Sequence, residues 1–419
     1  MKYGCIGEVL RHSFSKEIHA QLGDYQYELC EVKREELDSF MKRADFLAIN
    51  VTIPYKEAVI PYLDSISDIA SEIGAVNTIV KRDGKLYGYN TDFYGLKALI
   101  ERTGFELAGK KVAVLGTGGT SKTANAVAKS LGAGEILVVS RRAGEGVIDY
   151  DELYADHSDT QIVINCTPVG MFPNSDASPI EVGRLPALQG AVDAVYNPLN
   201  TQLVQQVREG GARAQSGLFM LVYQAIKASE FFFDTTYPAE IAEEIYKKTL
   251  MQKQNIVLIG MPASGKSTVG KLLAQDLGRE LVDTDEMIEK RLGCTIAEVF
   301  ETRGEGYFRS VEAQVIAELS AKNGLVIATG GGAVLRSDNV MNLHKNSVVF
   351  FIDRSPENLY PTCDRPLAST VEAIHKRYSE RYAIYCRAAD VRVDCDALTP
   401  DEACAIIVRE FNDYEDICN

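Results

Sequence analysis

Two stretches of this chain set a glycine-rich turn between an apolar run and an amphipathic one, and both turns carry groups suited to phosphate chemistry. One is Gly116-Thr117-Gly118-Gly119, after Lys111 to Leu115; the other is Gly260 to Ser267, after Asn255 to Ile259. The second, Gly260-Met261-Pro262-Ala263-Ser264-Gly265-Lys266-Ser267, fits G-x-x-x-x-G-K-[ST]. In that pattern the glycines let backbone N–H groups curl around a β-phosphate. Lys266 reaches the β and γ oxygens, and the Ser267 hydroxyl binds Mg²⁺. An ordinary glycine turn before a helix would account for Gly260 and Gly265 but not for Lys266-Ser267.

The residues that follow narrow the acceptor. Asp283-Thr284-Asp285 closes a short apolar run, so both carboxylates point from a strand end toward the loop. One can hold the water shell of Mg²⁺ and the other a substrate hydroxyl; helix N-capping by Asp283 or Thr284 is compatible with either. Tyr307-Phe308-Arg309 brings an arginine, and Gly330-Gly331-Gly332 follows another apolar run, where backbone can approach a small ligand closely. Asp364-Arg365-Pro366-Leu367 lies in a polar stretch suited to a lid, and Arg381 sits on a helix four residues before Tyr385. Each arginine taken singly reads equally as half of a surface ion pair. These motifs, in this order over residues 253–419, resemble shikimate kinase.

The resemblance implies a P-loop, nucleoside-monophosphate-kinase-like α/β domain that transfers the γ-phosphate of ATP to the 3-hydroxyl of shikimate. Gly260, Ala263, Ser264, Gly265, Lys266, Ser267 and Thr268 would bind ATP, and Ser267 and Asp283 would hold Mg²⁺. Asp285 would meet the attacking hydroxyl, with Gly330, Gly331 and Gly332 against the substrate. Arg309 and Arg381 would clamp the carboxylate, a task suited to the two parallel hydrogen bonds of a guanidinium. Lys266 and Arg365 would steady the transferring phosphate. The family's Arg-x-Pro-x-Tyr has Ala383 in the proline's place, which is expected to loosen a turn while keeping the charge.

In the N-terminal half the strand Ile136 to Val139 ends in Ser140-Arg141-Arg142, about where a dinucleotide fold preferring NAD would carry an acidic residue. Two guanidinium groups there favour a 2′-phosphate, hence NADP; a solvated basic strand end is the plain alternative. Upstream, Lys56 closes Asn50-Val51-Thr52-Ile53-Pro54-Tyr55-Lys56, and Asp92 closes Gly88-Tyr89-Asn90-Thr91-Asp92. Hydride chemistry at a carbonyl needs a proton donor beside the oxygen that becomes hydroxyl, a role for Lys56, with Asp92 positioning either Lys56 or the hydroxyl. The bland alternative is a structural salt bridge. Asn77 and Gln224 add neutral donors for further hydroxyls.

Residues 1–250 are similar to shikimate dehydrogenase in His12-Ser13-x-Ser15, the Lys56 and Asp92 segments, Gly74 to Thr78, the first glycine loop, Asn165-Cys166-Thr167-Pro168-x-Gly170-Met171, and Gly217 to Gln224. That likeness implies reversible NADPH-dependent reduction of 3-dehydroshikimate to shikimate. Lys56 and Asp92 would be the catalytic pair, with Ser13, Ser15, Thr52, Asn77 and Gln224 on the substrate. Gly116, Gly118, Gly119, Ser140, Arg141, Arg142, Thr167, Tyr196, Gly217 and Met220 would lie along NADP. Three departures stand out: Glu8-Val9 replaces Asn-Pro, Lys16 replaces a proline after the serines, and Ser121 stands where a third loop glycine is usual. The altered serine turn keeps one alternative open, an active shikimate kinase fused to a non-catalytic or quinate-type dehydrogenase-like binding domain.

The elements that must position these groups alternate. Short apolar runs at Phe46 to Val51, Ile136 to Val139, Ile162 to Ile164, Leu325 to Ala328 and Val348 to Ile352 read as buried strands between amphipathic stretches, which predicts α/β layers. The expected division is a substrate domain at 1–103 completed by a helical segment near 217–250, a Rossmann NADP domain at 104–216, and a kinase domain at 253–419. A polar linker is expected at Gln252-Lys253-Gln254. With 419 residues, 46% hydrophobic and 25% charged, the chain is of ordinary globular composition and has room for two or three domains. Its net charge of −15 argues against general nucleic-acid or anionic-membrane binding. Nine scattered cysteines without a C-x-x-C pair read as free thiols. Glu8 follows too soon after the start for a signal-peptide core, and the expected location is the cytoplasm.

Overall fold

The computed structural model describes residues 1–10, 14–359 and 371–414; Ser13 and Arg365 lie outside them. Two compact units meet at the Thr249–Leu250 bond. In unit 1, strands β1 (Tyr3–Gly7), β2 (Tyr27–Glu31), β3 (Ala48–Val51), β4 (Ser65–Ile66), β5 (Thr78–Arg82) and β6 (Lys85–Tyr89) form a mixed sheet in the order β2-β1-β3-β5-β6-β4. β3 begins two residues later than the apolar run, because Phe46 packs into the core while Leu47 stays 45% exposed.

The first unit's second sheet holds β7 (Lys111–Leu115), β8 (Glu135–Val139), β9 (Ile162–Asn165), β10 (Gly190–Asp193) and β11 (Arg213–Gln215) in the order β11-β10-β9-β7-β8. All its pairings are parallel. Strands buried on both faces read as continuous apolar runs, as β7 and β9 do. The chain leaves β7 toward β8 on one side and returns to β9 on the other, a topological switch at whose carboxyl ends ligands bind.

Helix Leu218–Phe233 comes back to the first sheet: its Ala228 and Phe232 share a core with Cys5, Tyr27, Ala48 and Val80. It crosses helix Asp92–Arg102 at Gly95, where a Cβ would stand 2.5 Å from the Met220 carbonyl oxygen. Only glycine allows that approach, which sets Gln224 beside Thr91.

Unit 2 is one parallel sheet of β12 (Asn255–Ile259), β13 (Leu281–Asp283), β14 (Val326–Ala328), β15 (Ser347–Asp353) and β16 (Val391–Asp394), in the order β13-β14-β12-β15-β16. Apolar clusters cover both faces. Helix Ile241–Lys253 runs through the expected linker, since Gln and Lys are good helix formers and polarity alone does not end a helix. Among the described residues no helix is long and apolar enough to cross a membrane, and the cysteines that lie among them are free thiols.

Candidate active sites in the two units

At the carboxyl ends of β7, β8 and β9 lies a cavity of about 890 Å³. Its wall on the Rossmann side is Gly116 to Thr120, Ser140, Arg141 and Cys166 to Val169; the facing wall includes Ile53, Pro54, Lys56 and Glu57. The Lys56 Nζ donates to Asp92 Oδ2 at 2.6 Å, with both side chains largely buried. Asp92 opens helix Asp92–Arg102, whose first-turn N–H groups favour a carboxylate. The Lys56 backbone is pinned as well, its carbonyl accepting from Val76 N at 2.8 Å. A Cβ on Gly119 would lie 3.8 Å from Lys56 Cδ, so the ion pair sits directly against the glycine loop.

The loop fits a dinucleotide. Gly116 has φ +107°, a left-handed conformation that side chains resist, and packs on Cys166 and Thr167. A Cβ at Gly118 would meet nothing within 4 Å, which leaves the rim open for a phosphate at the N-terminus of helix Gly119–Ser130. Ser121, in place of the usual third glycine, donates its hydroxyl to Gly116 O at 2.6 Å and ties the loop to its helix. Of the two arginines, Arg141 lines the cavity; Arg142 is exposed and is not part of the lining. Thr167 lines the cavity too, held by Asn165. Gly217 lies so close to Ala194 O that a Cβ would be 2.4 Å away, and Met220 is buried. Tyr196 packs edge-on against Phe14 at 5.3 Å, and burial pushes its phenol up to about 12.

Toward the substrate side, Asn77 Oδ1 accepts from Thr91 N at 2.7 Å and from the Thr91 and Thr78 hydroxyls at 3.1 Å each. That fixes the amide and leaves its NH₂ as the donating end. Gln224 accepts from the Thr91 hydroxyl at 3.4 Å and donates to Leu221 O at 2.8 Å. Thr52 is half-buried beside Gly7, and buried Ser15 starts helix Ser15–His19. Of the departures, Glu8 is spent on an exposed ion pair with Arg34 at 3.2 Å, and Val9 is 62% exposed.

In unit 2 the loop from Gly260 to Lys266 wraps a space fitted to phosphate. Lys266 Nζ is buried and donates to Gly260 O at 3.0 Å and Met261 O at 2.8 Å. Among the described residues the buried Ser264 Oγ has no hydrogen-bond partner, an orphaned donor at the centre of the loop. Ala263 holds φ +65°, at a cost of about 1 kcal/mol for a non-glycine residue, strain of the kind kept where a loop must face a ligand. Ser267, with Thr268 behind it, opens helix Lys266–Leu277, and its Oγ donates to Asp283 Oδ2 at 2.8 Å. Asp283 Oδ1 meanwhile accepts from Asp285 N at 3.0 Å, so capping and the metal-side contact use different oxygens of one carboxylate. The Ser267–Asp283 pair suits a hydrated divalent cation.

Across from the loop, the three glycines make room for charge. A Cβ would come 2.5 Å from Asp285 Oδ1 at Gly330, 2.7 Å from the Pro262 ring at Gly331, and within the Arg309 guanidinium at Gly332. Arg381 donates to Gly331 O at 3.1 Å, and the Tyr385 hydroxyl donates to the same oxygen. Ala383 lies inside the continuous helix Val371–Ala388, so the expected loosened turn does not occur; alanine simply keeps the helix regular.

Arg309 is not a lone arginine: it pairs with Glu305 at 3.0 Å and with Glu312 at 2.8 Å. Glu312 is fully buried, and burial pushes its carboxyl up, opposed by Arg309. The sequence reading missed it, although an acid three residues after Arg309 on a helix was a usable signal. Glu312→Gln is expected to raise KM for the substrate of this site about tenfold with a smaller loss of kcat, since Arg309 would swing toward Glu305. Steady-state kinetics checks this; an unchanged KM would mean Glu312 only fills space.

The comparisons with known proteins fall on the same two units. Residues 5–79 match the family model of the shikimate dehydrogenase substrate binding domain, and residues 262–412 that of shikimate kinase. A shikimate dehydrogenase (NADP(+)) of Clostridium perfringens strain 13 is 36% identical over 263 residues, covering 59% of this chain and 97% of the relative. The structure of shikimate dehydrogenase 1 from Peptoclostridium difficile is similar at 36% identity and TM-score 0.55, covering 59% of this chain and 98% of that one. Shikimate 5-dehydrogenase from Thermus thermophilus, solved with NADP(H) and shikimate, is 29% identical with TM-score 0.53, covering 59% and 99%.

Proposed function

Because the chain belongs to the shikimate dehydrogenase family through its first unit and carries a shikimate kinase domain in its second, we infer that one polypeptide catalyses two successive reactions. It is a bifunctional enzyme that reduces 3-dehydroshikimate to shikimate with NADPH and phosphorylates the shikimate 3-hydroxyl with ATP and Mg²⁺. The observation that carries the reading is the Lys56–Asp92 pair, 2.6 Å apart, in one cavity with the dinucleotide loop. An intact acid–base pair there argues against a non-catalytic first unit.

NADPH, when bound, supplies the hydride; ATP with Mg²⁺ supplies the phosphoryl group. Lys56 gives a proton to the carbonyl oxygen as it becomes hydroxyl, and Asp92 holds the ammonium in place. Asn77, Thr52, Gln224, Ser15 and Ser13 orient the ring, and Gly116, Gly118, Gly119, Ser140, Arg141, Thr167, Tyr196, Gly217 and Met220 lie along the cofactor, with Arg142 outside the cavity lining. In the second unit Asp285 receives the attacking hydroxyl. Arg309 and Arg381 hold the carboxylate against Gly330, Gly331 and Gly332. Lys266 and Arg365 balance charge on the transferring group, while Ser267 and Asp283 hold the metal. We place the substrate domain at 1–103 with its completion near 217–250, the dinucleotide domain at 104–216 and the kinase domain at 253–419. The substrates are small anions, and the net charge of −15 together with scattered cysteines supports a cytoplasmic enzyme with no nucleic-acid or membrane partner.

The test is shikimate-dependent reduction of NADP by the purified chain without ATP, with NAD as comparator. Turnover preferring NADP is expected. Arg141→Ala should then raise KM for NADP about tenfold, the worth of one charge-assisted phosphate contact, and leave NAD unaffected. Failure with either cofactor, in protein whose kinase works, would refute the reading of the first unit.

A further inference from the structure

The wall of the first unit's cavity that follows β9 is held from behind by a closed set of buried polar groups. Asn165 ends β9 between Leu115 of β7 and Asp193 of β10, and both Asn165 and Asp193 are fully buried. Asn165 Oδ1 accepts twice from the cavity residue Thr167, from its N at 3.0 Å and its Oγ1 at 2.7 Å. Thr167 Oγ1 in turn accepts from Val169 N at 3.3 Å. The other end of the same amide donates to Asp193 Oδ1 at 2.9 Å. Asp193 also accepts from Val195 N at 3.0 Å and, through Oδ2, from Thr201 Oγ1 at 2.7 Å. Gly217 N donates to Val195 O at 2.9 Å, so the same carboxylate anchors the turn that carries Tyr196 and meets Gly217.

A carboxylate with no cation paired to it among the described residues, buried behind a ligand site, is costly unless several donors converge on it. Three do here. Two of them, Asn165 Nδ2 and Val195 N, belong to separate segments: the first leads to the cavity-lining 166–169 loop and the second to the 195–196 turn. The amide of Asn165 cannot turn over, because Asp193 accepts only at its NH₂ end. That sets Oδ1 toward Thr167 and fixes the height of the loop against Gly116, where a Cβ would lie 3.3 Å from Thr167 Cγ2. The dinucleotide loop and the 166–169 segment packed beside it are thus held in register by one acid that touches neither.

We propose that Asp193 is a positioning residue for the cofactor: through Asn165 and Val195 it sets the two segments that receive the nicotinamide end of the dinucleotide. The inference rests on the reading of this cavity as the NADP site. Its signature is a loss of cofactor affinity that a neutral isostere restores. Asparagine at 193 can still accept from Asn165 and Val195 and can donate to Thr201, whereas alanine leaves three buried donors unmet.

NADPH binding to the full chain, followed by its fluorescence on titration, tests this without relying on turnover. Asp193→Ala is expected to weaken NADPH binding about tenfold to a hundredfold, the worth of hydrogen bonds to a charged group, and Asp193→Asn to return it to within about threefold of wild type. In steady state the loss should appear in KM for NADP more than in kcat. Should Asp193→Ala not fold, Thr201→Val, an isostere outside the cavity lining, is expected to weaken NADPH binding several-fold. Wild-type affinity in a folded Asp193→Ala or, failing that, in Thr201→Val, or equal losses in Asp193→Ala and Asp193→Asn, would overturn the proposal. Absence of NADPH binding by the wild-type chain would overturn the reading of the cavity and the proposal with it.

Discussion

Lys56→Ala is expected to lower kcat for shikimate-dependent NADP reduction about a thousandfold, within the range general acid–base groups contribute, while the same preparation phosphorylates shikimate normally. Asp92 is the partner that makes Lys56 the proton donor: it holds Nζ at 2.6 Å and faces it into the cavity beside Gly119. Alanine removes the only ammonium among the cavity-lining residues and leaves Asp92 as an anion next to a carbonyl that must itself gain negative charge. KM for shikimate should move little, because Asn77, Gln224 and Thr52 remain. Lys56→Arg separates charge from proton transfer, since a guanidinium keeps the charge but gives up its proton poorly. It should recover binding and not turnover. If Lys56→Ala kept more than about a tenth of wild-type kcat, another group would have to be the acid, and the ion pair would be structural.

How much of this was legible beforehand differs by the kind of signal. The two phosphate-type turns were readable because strand, glycine and helix follow one another within a few residues, and local sequence dictates local backbone. The return of helix Leu218–Phe233 to the first sheet was readable from its apolar length. Glu312 carried only the i,i+3 spacing from Arg309 as a signal, and that spacing does not announce that the carboxyl will be buried beside Gly330. Asn165 was read as part of a motif and Asp193 not at all. Both close apolar strands, where a polar residue usually marks a strand's exit into solvent. Here the strands lie in the middle of a parallel sheet, so the exit is into a site. At Gln252 to Gln254 composition suggested a short linker near the domain boundary, whereas helix Ile241–Lys253 carries on to Lys253 and β12 follows at Asn255.

Lys266→Met should lower kcat for phosphorylation of shikimate by about a thousandfold and leave NADP reduction untouched. Methionine keeps the buried stem of a side chain that is only 6% exposed, so the loop around it should hold its shape. What disappears is the ammonium, which donates to the carbonyl oxygens of Gly260 and Met261. Its proposed partners in the reaction are the phosphate oxygens, which carry full charge in the transition state. The strain at Ala263 and the unmet hydroxyl of Ser264 point the same way, toward a loop shaped for an anion and not for its own packing. Binding of ATP should weaken less than kcat falls, because the backbone N–H groups of the loop and Ser267 with its metal still hold the nucleotide. Measuring both activities in both variants completes a two-by-two comparison. If Lys56→Ala and Lys266→Met each silence one reaction, the sites work independently. If either silences both, the two units share a conformational step, and the chain is more than two enzymes joined end to end.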